Sequence, residues 1–129
     1  MLNVELVSVD RKIWTGESDM VLARTVDGEI GILPGHWDHL SVLVEGGVVD
    51  IRQGEEEEPT LVAVHGGFLL VHDNDVRILA EVAELGEEVD VARARGALDR
   101  ARSDADDEEE SGKAVQRAEA RLRAAGQTV

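Results

Sequence analysis

The stretch VRILAEVAELGEEVDVARARGAL, residues 76–98, contains a change of hydrophobic period that decides the fold. In its first half the apolar residues form short runs rich in Val, Ile and Leu, which is typical of β-strands. In its second half apolar residues recur at helical intervals of three and four, at Val91, Ala94, Leu98 and Ala101. The sequence therefore predicts a β domain over residues 1–86 and a helical segment over residues 87–129.

Upstream of that stretch the chain is a succession of short apolar runs, such as MVLA, EIGIL, LSVLV, VVDI, TLVAV and GFLLV. Turn signals separate the runs, at Asp27-Gly28, Pro34-Gly35, Gly46-Gly47, Gly66-Gly67 and Asp73-Asn74. Because no crossover helix fits between the runs, we predict an antiparallel sandwich or barrel rather than a parallel sheet. Unbroken runs such as GFLLV further predict strands that are covered on both faces.

Downstream of that stretch the pattern predicts two antiparallel helices. Asp90 is a good N-cap for the first helix, because its carboxylate can accept the free N–H groups of the first turn. The acidic residues 103–112 predict a solvated connection, and a second helix follows over residues 113–125. Since the apolar face of this hairpin is mostly alanine, we expect it to dock weakly and to adopt more than one position.

Composition narrows the class of protein. The chain has 129 residues, 43% of them apolar, which is enough for one domain core with a small appendage. It has no cysteine, so disulfides, thiolate zinc sites and cysteine nucleophiles are excluded. Without a long apolar run or the features of a signal peptide, we expect a soluble intracellular protein with no direct membrane insertion. A net charge of −15 predicts no nucleic-acid partner.

Motifs for catalysis are absent from the sequence. The nearest match to a phosphate-binding loop, residues 107–114, has Asp for the first glycine and Ala for the hydroxyl residue. We therefore predict a non-catalytic protein. Two alternatives stay open at this point: a stand-alone sandwich with a metal bound by histidines, and a generic acidic adaptor. The candidate ligands for such a metal are His36, Asp38, His39, His65 and His72.

Three strings then carry a resemblance. GEIGILPGH (residues 28–36), LVAVHGGFLLVHDNDVRILAE (61–81) and VDVARA (89–94) resemble the epsilon subunit of F-type ATP synthases, in the same order. The resemblance implies a two-sheet sandwich followed by a helical hairpin, in a non-catalytic subunit of the rotating central stalk. The implied partners are the gamma subunit, the rotor c-ring and, through the hairpin, the alpha/beta catalytic head. It also implies restraint of ATP hydrolysis and a peripheral position at the cytoplasmic face of the plasma membrane.

The resemblance also implies which residues form the interfaces. The loop with the first string would face the ring and gamma, with contacts from Glu29, Gly31, Pro34, Gly35, His36 and Trp37. Here the string departs from the family after His36, and Trp37 is interpreted either as an interface anchor or as a cap that shields the sandwich. On the hairpin, Arg117 and Arg121 would meet acidic residues of the catalytic head.

A regulatory ATP site is the last implication of the resemblance. No cofactor is required, but VDVARA resembles a segment through which some family members bind ATP. The residues expected to contact ATP are Glu84, Asp90, Arg93 and Arg100. Arg93 and Arg100 lie seven residues apart and can share one helix face.

Overall fold

The computed structural model describes residues 1–104 and 107–129, in which eight strands precede a short 3-10 turn and two helices. This confirms the predicted class, a β-sandwich followed by a helical hairpin. The strands are β1 (Leu2–Ser8), β2 (Lys12–Ser18), β3 (Met20–Thr25), β4 (Gly28–Ile32), β5 (His39–Val42), β6 (Gly47–Arg52), β7 (Thr60–His72) and β8 (Asp75–Leu85). The turn is Gly86–Glu88, and the helices are α1 (Val91–Ser103) and α2 (Glu108–Ala124). No helix in the described residues is long and apolar enough to cross a membrane.

The strands are hydrogen-bonded in the order β2-β1-β8-β7-β6-β3-β4, and β5 pairs with part of β7. Every pairing is antiparallel except that of β1 with β8, which is parallel. The prediction of exclusively antiparallel sheets is therefore wrong at this one pair. These two strands are the first and last of the domain, so the six strands between them supply the crossover that parallel pairing needs.

The core of the sandwich is made of branched aliphatic side chains. Its largest fully buried members are Leu2, Leu6, Ile32, Ile51, Leu69 and Ile78, which come from five different strands. Alternation places these residues inward and their chain neighbours outward. A core with few aromatic residues is therefore filled by Leu, Ile and Val, in accordance with the composition.

The pair Gly66–Gly67 lies inside a continuous strand, so the predicted turn at this position is wrong. Both glycines have positive φ, at 75° and 119°, and a side chain at Gly67 would overlap the backbone of Leu79. β7 keeps one register with β8 across the pair, while its other edge changes partner from β6 to β5. The positive φ angles bend the strand between the two sheets instead of reversing the chain.

The second helix is longer than the sequence pattern predicted. It begins at Glu108 rather than at residue 113, so much of the acidic stretch is its first turns rather than a solvated connection. The Asp107 carboxylate caps it by accepting the Glu110 N–H at 3.1 Å. Acidic side chains in a first turn are stabilised by the positive end of the helix dipole, which explains why charge alone did not break this helix.

The helix α2 packs through two faces. One face carries Ala118 and Leu122 against α1, as the predicted seam requires. The other carries Ala120 and Ala124 against the sandwich, where Ala63 is fully buried beneath them. The alanines that make this contact small also let the helix approach the sheet closely.

Two glycines of the sandwich permit that close approach. A side chain at Gly46 would overlap the α2 backbone at Gln116, and one at Gly86 would overlap the Ala124 carbonyl. Neither glycine has a positive φ, so it is the space for α2, rather than the local backbone, that requires glycine here. α2 is thus seated at its middle and at its C-terminal end on positions without a side chain.

Candidate functional site

The segment between β4 and β5, residues 33–38, forms a tight turn that we call the Pro34 loop. The Leu33 carbonyl accepts the His36 N–H at 3.1 Å, and Gly35 has a φ of +87°. Proline at the second position and a positive φ at the third are the marks of a type II turn. This is the turn predicted from Pro34-Gly35.

The Pro34 loop is attached to the neighbouring β7–β8 turn at two points. The Gly35 N–H donates to the Asn74 Oδ1 at 2.7 Å, and the His72 Nδ1 lies 3.0 Å from the Asp38 Oδ2. The hydrogen bond that His72 donates to the Asp38 carboxylate raises the pKa of His72. Because the loop is fixed at Gly35 and at Asp38, its outer surface is presented in a defined shape.

Trp37 points outward from this loop. Its exposed fraction is 75%, and its ring contacts His36 with the ring centroids 4.6 Å apart. The interpretation of Trp37 as a cap that shields the sandwich is therefore wrong. The nearby Glu29 and Gly31 are also exposed, on β4. Of the interface residues expected at this end of the chain, five are thus exposed and His36 is partly exposed.

An exposed apolar surface, which the sequence did not predict, adjoins the Pro34 loop. Cross-strand pairing places Phe68 beside Val42 and Leu79, and Leu70 beside Leu40, on the outer side of β5, β7 and β8. We call these five residues the apolar face, and they are between 38% and 67% exposed. The expectation that GFLLV is covered on both sides is wrong, since only alternate residues of that run are buried.

A depression joins the apolar face to the Pro34 loop. It has a volume of about 590 Å³ and is lined by Asp38, His39, Leu40 and Leu70, among others. The loop and the apolar face are therefore parts of one continuous surface. Contiguous apolar surface of this kind on a soluble domain marks an interaction site.

A second candidate site lies between the sandwich and the hairpin. A cleft of about 460 Å³, the arginine cleft, is lined by Glu84, Glu88, Asp90, Arg93, Ala94, Ala97, Arg100 and Arg121. All four residues expected to contact ATP are in this set, so the structure brings them together. In the described part of the chain, Arg93 and Arg100 have no ion-pair partner.

The acidic residues of the cleft have structural partners. The Asp90 Oδ1 accepts the Arg93 N–H at 3.0 Å, which makes Asp90 the N-cap of α1 as predicted. The Glu84 Oε1 accepts a hydrogen bond from the Arg121 Nε at 2.6 Å. With those carboxylates engaged, Arg93 and Arg100 are left to attract an anion.

Arg117 and Arg121, which were expected to meet the catalytic head, contact the sandwich in this structure. The Arg117 Nη1 lies 2.7 Å from the Glu45 Oε1, and Arg121 pairs with Glu84 as described. Glu110 and then Glu45 raise the pKa of Arg117 above its ordinary value. These two pairs bridge α2 and the sandwich beside the alanine contact.

Comparison with known proteins identifies the family. Residues 1–86 match the model for the ATP synthase delta/epsilon chain, beta-sandwich domain. The ATP synthase epsilon chain of Thermobifida fusca is 52% identical over 125 residues, which are 96% of this chain and 91% of that one. The chain belongs to the ATP synthase epsilon-chain family. The epsilon chain of Streptomyces griseus is 50% identical over 123 residues, covering 95% of this chain and 94% of its own length.

Solved structures agree with this membership. A chain in the cryo-EM structure of the Euglena gracilis mitochondrial ATP synthase, described as OSCP/F1/c-ring in rotational state 1, superposes with a TM-score of 0.81. The two are 28% identical, and the match covers 98% of this chain and 81% of that chain. The helical hairpin is thus part of the shared architecture as well as the sandwich.

Family membership bears on the two alternatives drawn from the sequence. In residues 1–104 and 107–129 no three His, Asp or Glu side chains are placed to hold a metal ion. His65, one of the candidate ligands, is buried beneath α2, whereas His72 is exposed at the β7–β8 turn. Membership of the epsilon-chain family therefore replaces both alternatives, the stand-alone metal protein and the generic adaptor.

Proposed function

We propose that this epsilon-family chain is a non-catalytic rotor subunit, which couples the c-ring to the catalytic head. The apolar face binds the gamma subunit, and the Pro34 loop contacts the c-ring. The observation that carries this proposal is the continuity of a large exposed apolar surface with a loop fixed at two points. In the complete synthase the chain is peripheral, at the cytoplasmic face of the plasma membrane.

Partner binding explains why the apolar face exists. Five aliphatic or aromatic side chains in cross-strand contact are costly to leave in water, because burial of apolar area is worth roughly 25 cal/mol per Å². Trp37 adds a large aromatic side chain, a residue type enriched among the strongest contacts of protein interfaces. A subunit that holds this surface against a partner would recover that free energy.

The hairpin supplies regulation in this proposal. In the structure α2 is docked on the sandwich, where Arg117 and Arg121 pair with Glu45 and Glu84. Release of α2 would free both arginines to pair with acidic residues of the alpha/beta head, and the extended hairpin would restrain ATP hydrolysis. The small alanine contact supports an equilibrium between two positions that differ by a few kcal/mol.

Adding the chain back to an epsilon-depleted ATP synthase complex tests this function. We expect the full chain to bind and to slow ATP hydrolysis, and a chain ending at Glu88 to bind without slowing it. Co-purification with gamma is measured beside turnover, so that loss of binding is not mistaken for loss of inhibition. Absence of binding by the full chain would contradict the rotor assignment, and equal turnover with both chains would contradict the inhibitory role.

ATP is the proposed regulatory ligand of the arginine cleft. Its phosphates would pair with Arg93 and Arg100, which are the cleft cations without an ion-pair partner among the described residues. The cleft is lined by both the sandwich and the hairpin, so bound ATP would stabilise the docked position. A ligand that binds only one of two positions shifts the equilibrium toward that position.

Replacing Arg93 or Arg100 with alanine is expected to weaken ATP binding by at least tenfold, since hydrogen bonds to charged groups are worth about 1.5–3 kcal/mol. Isothermal titration calorimetry on the full chain measures the effect. Arg95→Ala is the matched control, because Arg95 is on the same helix but contacts Gln127 and Thr128 instead of the cleft. Equal losses in all three variants would count against the cleft as the ATP site.

A further inference from the structure

His65 is a buried histidine on the side of β7 that faces α2. Along this strand Val62 and Val64 point into the sandwich core, while Ala63 packs beneath α2. Because successive side chains alternate, His65 lies on the same side as Ala63. Its exposed fraction is 3%, so the docked hairpin and the adjoining strands leave its ring almost no contact with water.

Neither ring nitrogen of His65 has a hydrogen-bond partner in the described part of the chain. Charged groups approach the ring from two neighbouring elements: Glu84 from β8, with its Oε1 3.9 Å from the Nε2, and Arg117 and Arg121 from α2, while Glu45 approaches it from the segment before β6 through its backbone. Both carboxylates are already engaged by these arginines. A neutral imidazole is tolerated here, whereas a proton on it would be poorly solvated.

We propose that His65 is a proton-sensitive latch, and that protonation of its ring releases α2 from the sandwich. Departure of α2 would admit water to the ring and remove the two arginines, while Glu84 would stay beside it as a counter-charge. Uptake of a proton and release of the helix are therefore coupled events. This coupling concerns the position of the hairpin and is separate from the chemistry of ATP.

The direction of the effect follows from the pKa in the two positions. In the docked position the pKa of His65 is lowered from 6.5 to about 4, first by burial and then by Arg121, whose effect is larger than the opposing effect of Glu84. A solvated ring in the released position has an ordinary histidine pKa near 6.5. Docking is thus fully stable above that value and is lost as the pH falls toward 4. The ratio of docked to released hairpin should fall about tenfold between pH 7.5 and pH 5.5.

The experiment measures that ratio directly in the full chain. Since the chain has no cysteine, Asp19→Cys and Lys113→Cys provide one label on the sandwich and one on α2. Both positions are exposed, and neither contributes to the contact between α2 and the sandwich. Distances between the two labels are recorded from pH 7.5 to pH 5.5 for the labelled parent chain, for His65→Gln and for His72→Gln. His72→Gln is the matched control, because His72 is exposed and remote from α2.

We expect the labelled parent and His72→Gln to lose the docked distance on acidification, and His65→Gln to keep the same ratio across the range. An unchanged ratio in the parent, or an equal pH response in His65→Gln, would overturn the proposal. If His65→Gln does not fold, the NMR titration of the His65 ring in the parent decides. A midpoint well below the ordinary histidine value of about 6.5 supports the latch, and a midpoint at that value overturns it.

The latch depends on the proposed mobility of the hairpin, and the two ideas fail in different ways. If the hairpin stays docked at every pH, and also in a Gly46→Ala variant that removes the space for α2, both the mobility and the latch are overturned. A hairpin that is released in that variant, but does not respond to pH in the parent chain, would overturn the latch alone.

Discussion

Replacing Gly46 with alanine is expected to displace α2 and to lower the ratio of docked to released hairpin by about tenfold to a hundredfold. The added methyl group would overlap the α2 backbone at Gln116, which cannot move aside as a flexible side chain could. Overpacking of a tight contact typically costs about 1–3 kcal/mol. Gly46 does not have a positive φ, so alanine introduces little local strain and the cost falls on docking.

Hydrogen exchange of the α2 amides, compared with those of the sandwich, measures this effect. The control is Gly112→Ala, because Gly112 is exposed on the same helix and a side chain there meets no neighbour. We expect the control to exchange as slowly as the parent or more slowly, since alanine favours helix. In the reconstituted synthase the Gly46→Ala chain should inhibit ATP hydrolysis more than the parent. Slow exchange in Gly46→Ala would refute the close seating of α2.

Replacing Phe68 with aspartate is expected to weaken binding to gamma by a hundredfold or more. Phe68 lies at the centre of the apolar face, with Val42 on one side and Leu79 on the other. Truncation of a central aromatic contact commonly costs 2 kcal/mol or more, and a carboxylate left without a partner in the interface adds to that. The isolated chain should be little affected, because the Phe68 side chain is half exposed.

Surface-immobilised gamma and the full chain provide the binding measurement, with thermal unfolding recorded in parallel. Phe68→Leu preserves much of the apolar area and should lose far less affinity. Gln127→Asp introduces the same charge near the C-terminus and should bind as the parent does. If Phe68→Asp bound gamma normally, the apolar face would have to be assigned to another partner.

Local sequence patterns were sufficient for the class of fold and for much of the hairpin. Asp90 was identified as a cap because the signal for an N-cap involves only the adjacent turn. The seam that contains Ala118 and Leu122 was identified because helical periodicity is also local. The type II turn of the Pro34 loop depends on two adjacent residues and was predicted for the same reason.

Features that depend on distant parts of the chain were not predicted. The Gly66–Gly67 pair has the composition of a turn, and only the pairing of β7 with two different strands makes it a bend. The exposure of Phe68 depends on what covers the sheet, which an apolar run does not reveal. Likewise, nothing near Gly46 in the sequence indicates that a helix seventy residues later requires its space.

The arginine cleft combines residues that local spacing predicts with a contact that depends on distant parts of the chain. Arg93 and Arg100 share a face of α1 and could be placed together from their spacing alone. Arg121 was assigned to a partner surface, because its contact with Glu84 joins a strand to a helix far along the chain. Spacing could not place Glu84 in the cleft, but the family resemblance did. The structure then showed Arg121 paired with it.

The uninterrupted pairing of β7 with β8 has a mechanical consequence. The two strands stay in register from His72 opposite Asp75, beside the Pro34 loop, to Val62 opposite Leu85, where the hairpin begins. Because the hydrogen bonds of an antiparallel pair are perpendicular to the strands, a pull along the strand axis acts on many of them at once. The ribbon is thus one hydrogen-bonded element between the two ends of the sandwich, with a bend at Gly66–Gly67. A push on the loop would reach the base of the hairpin along these two paired strands.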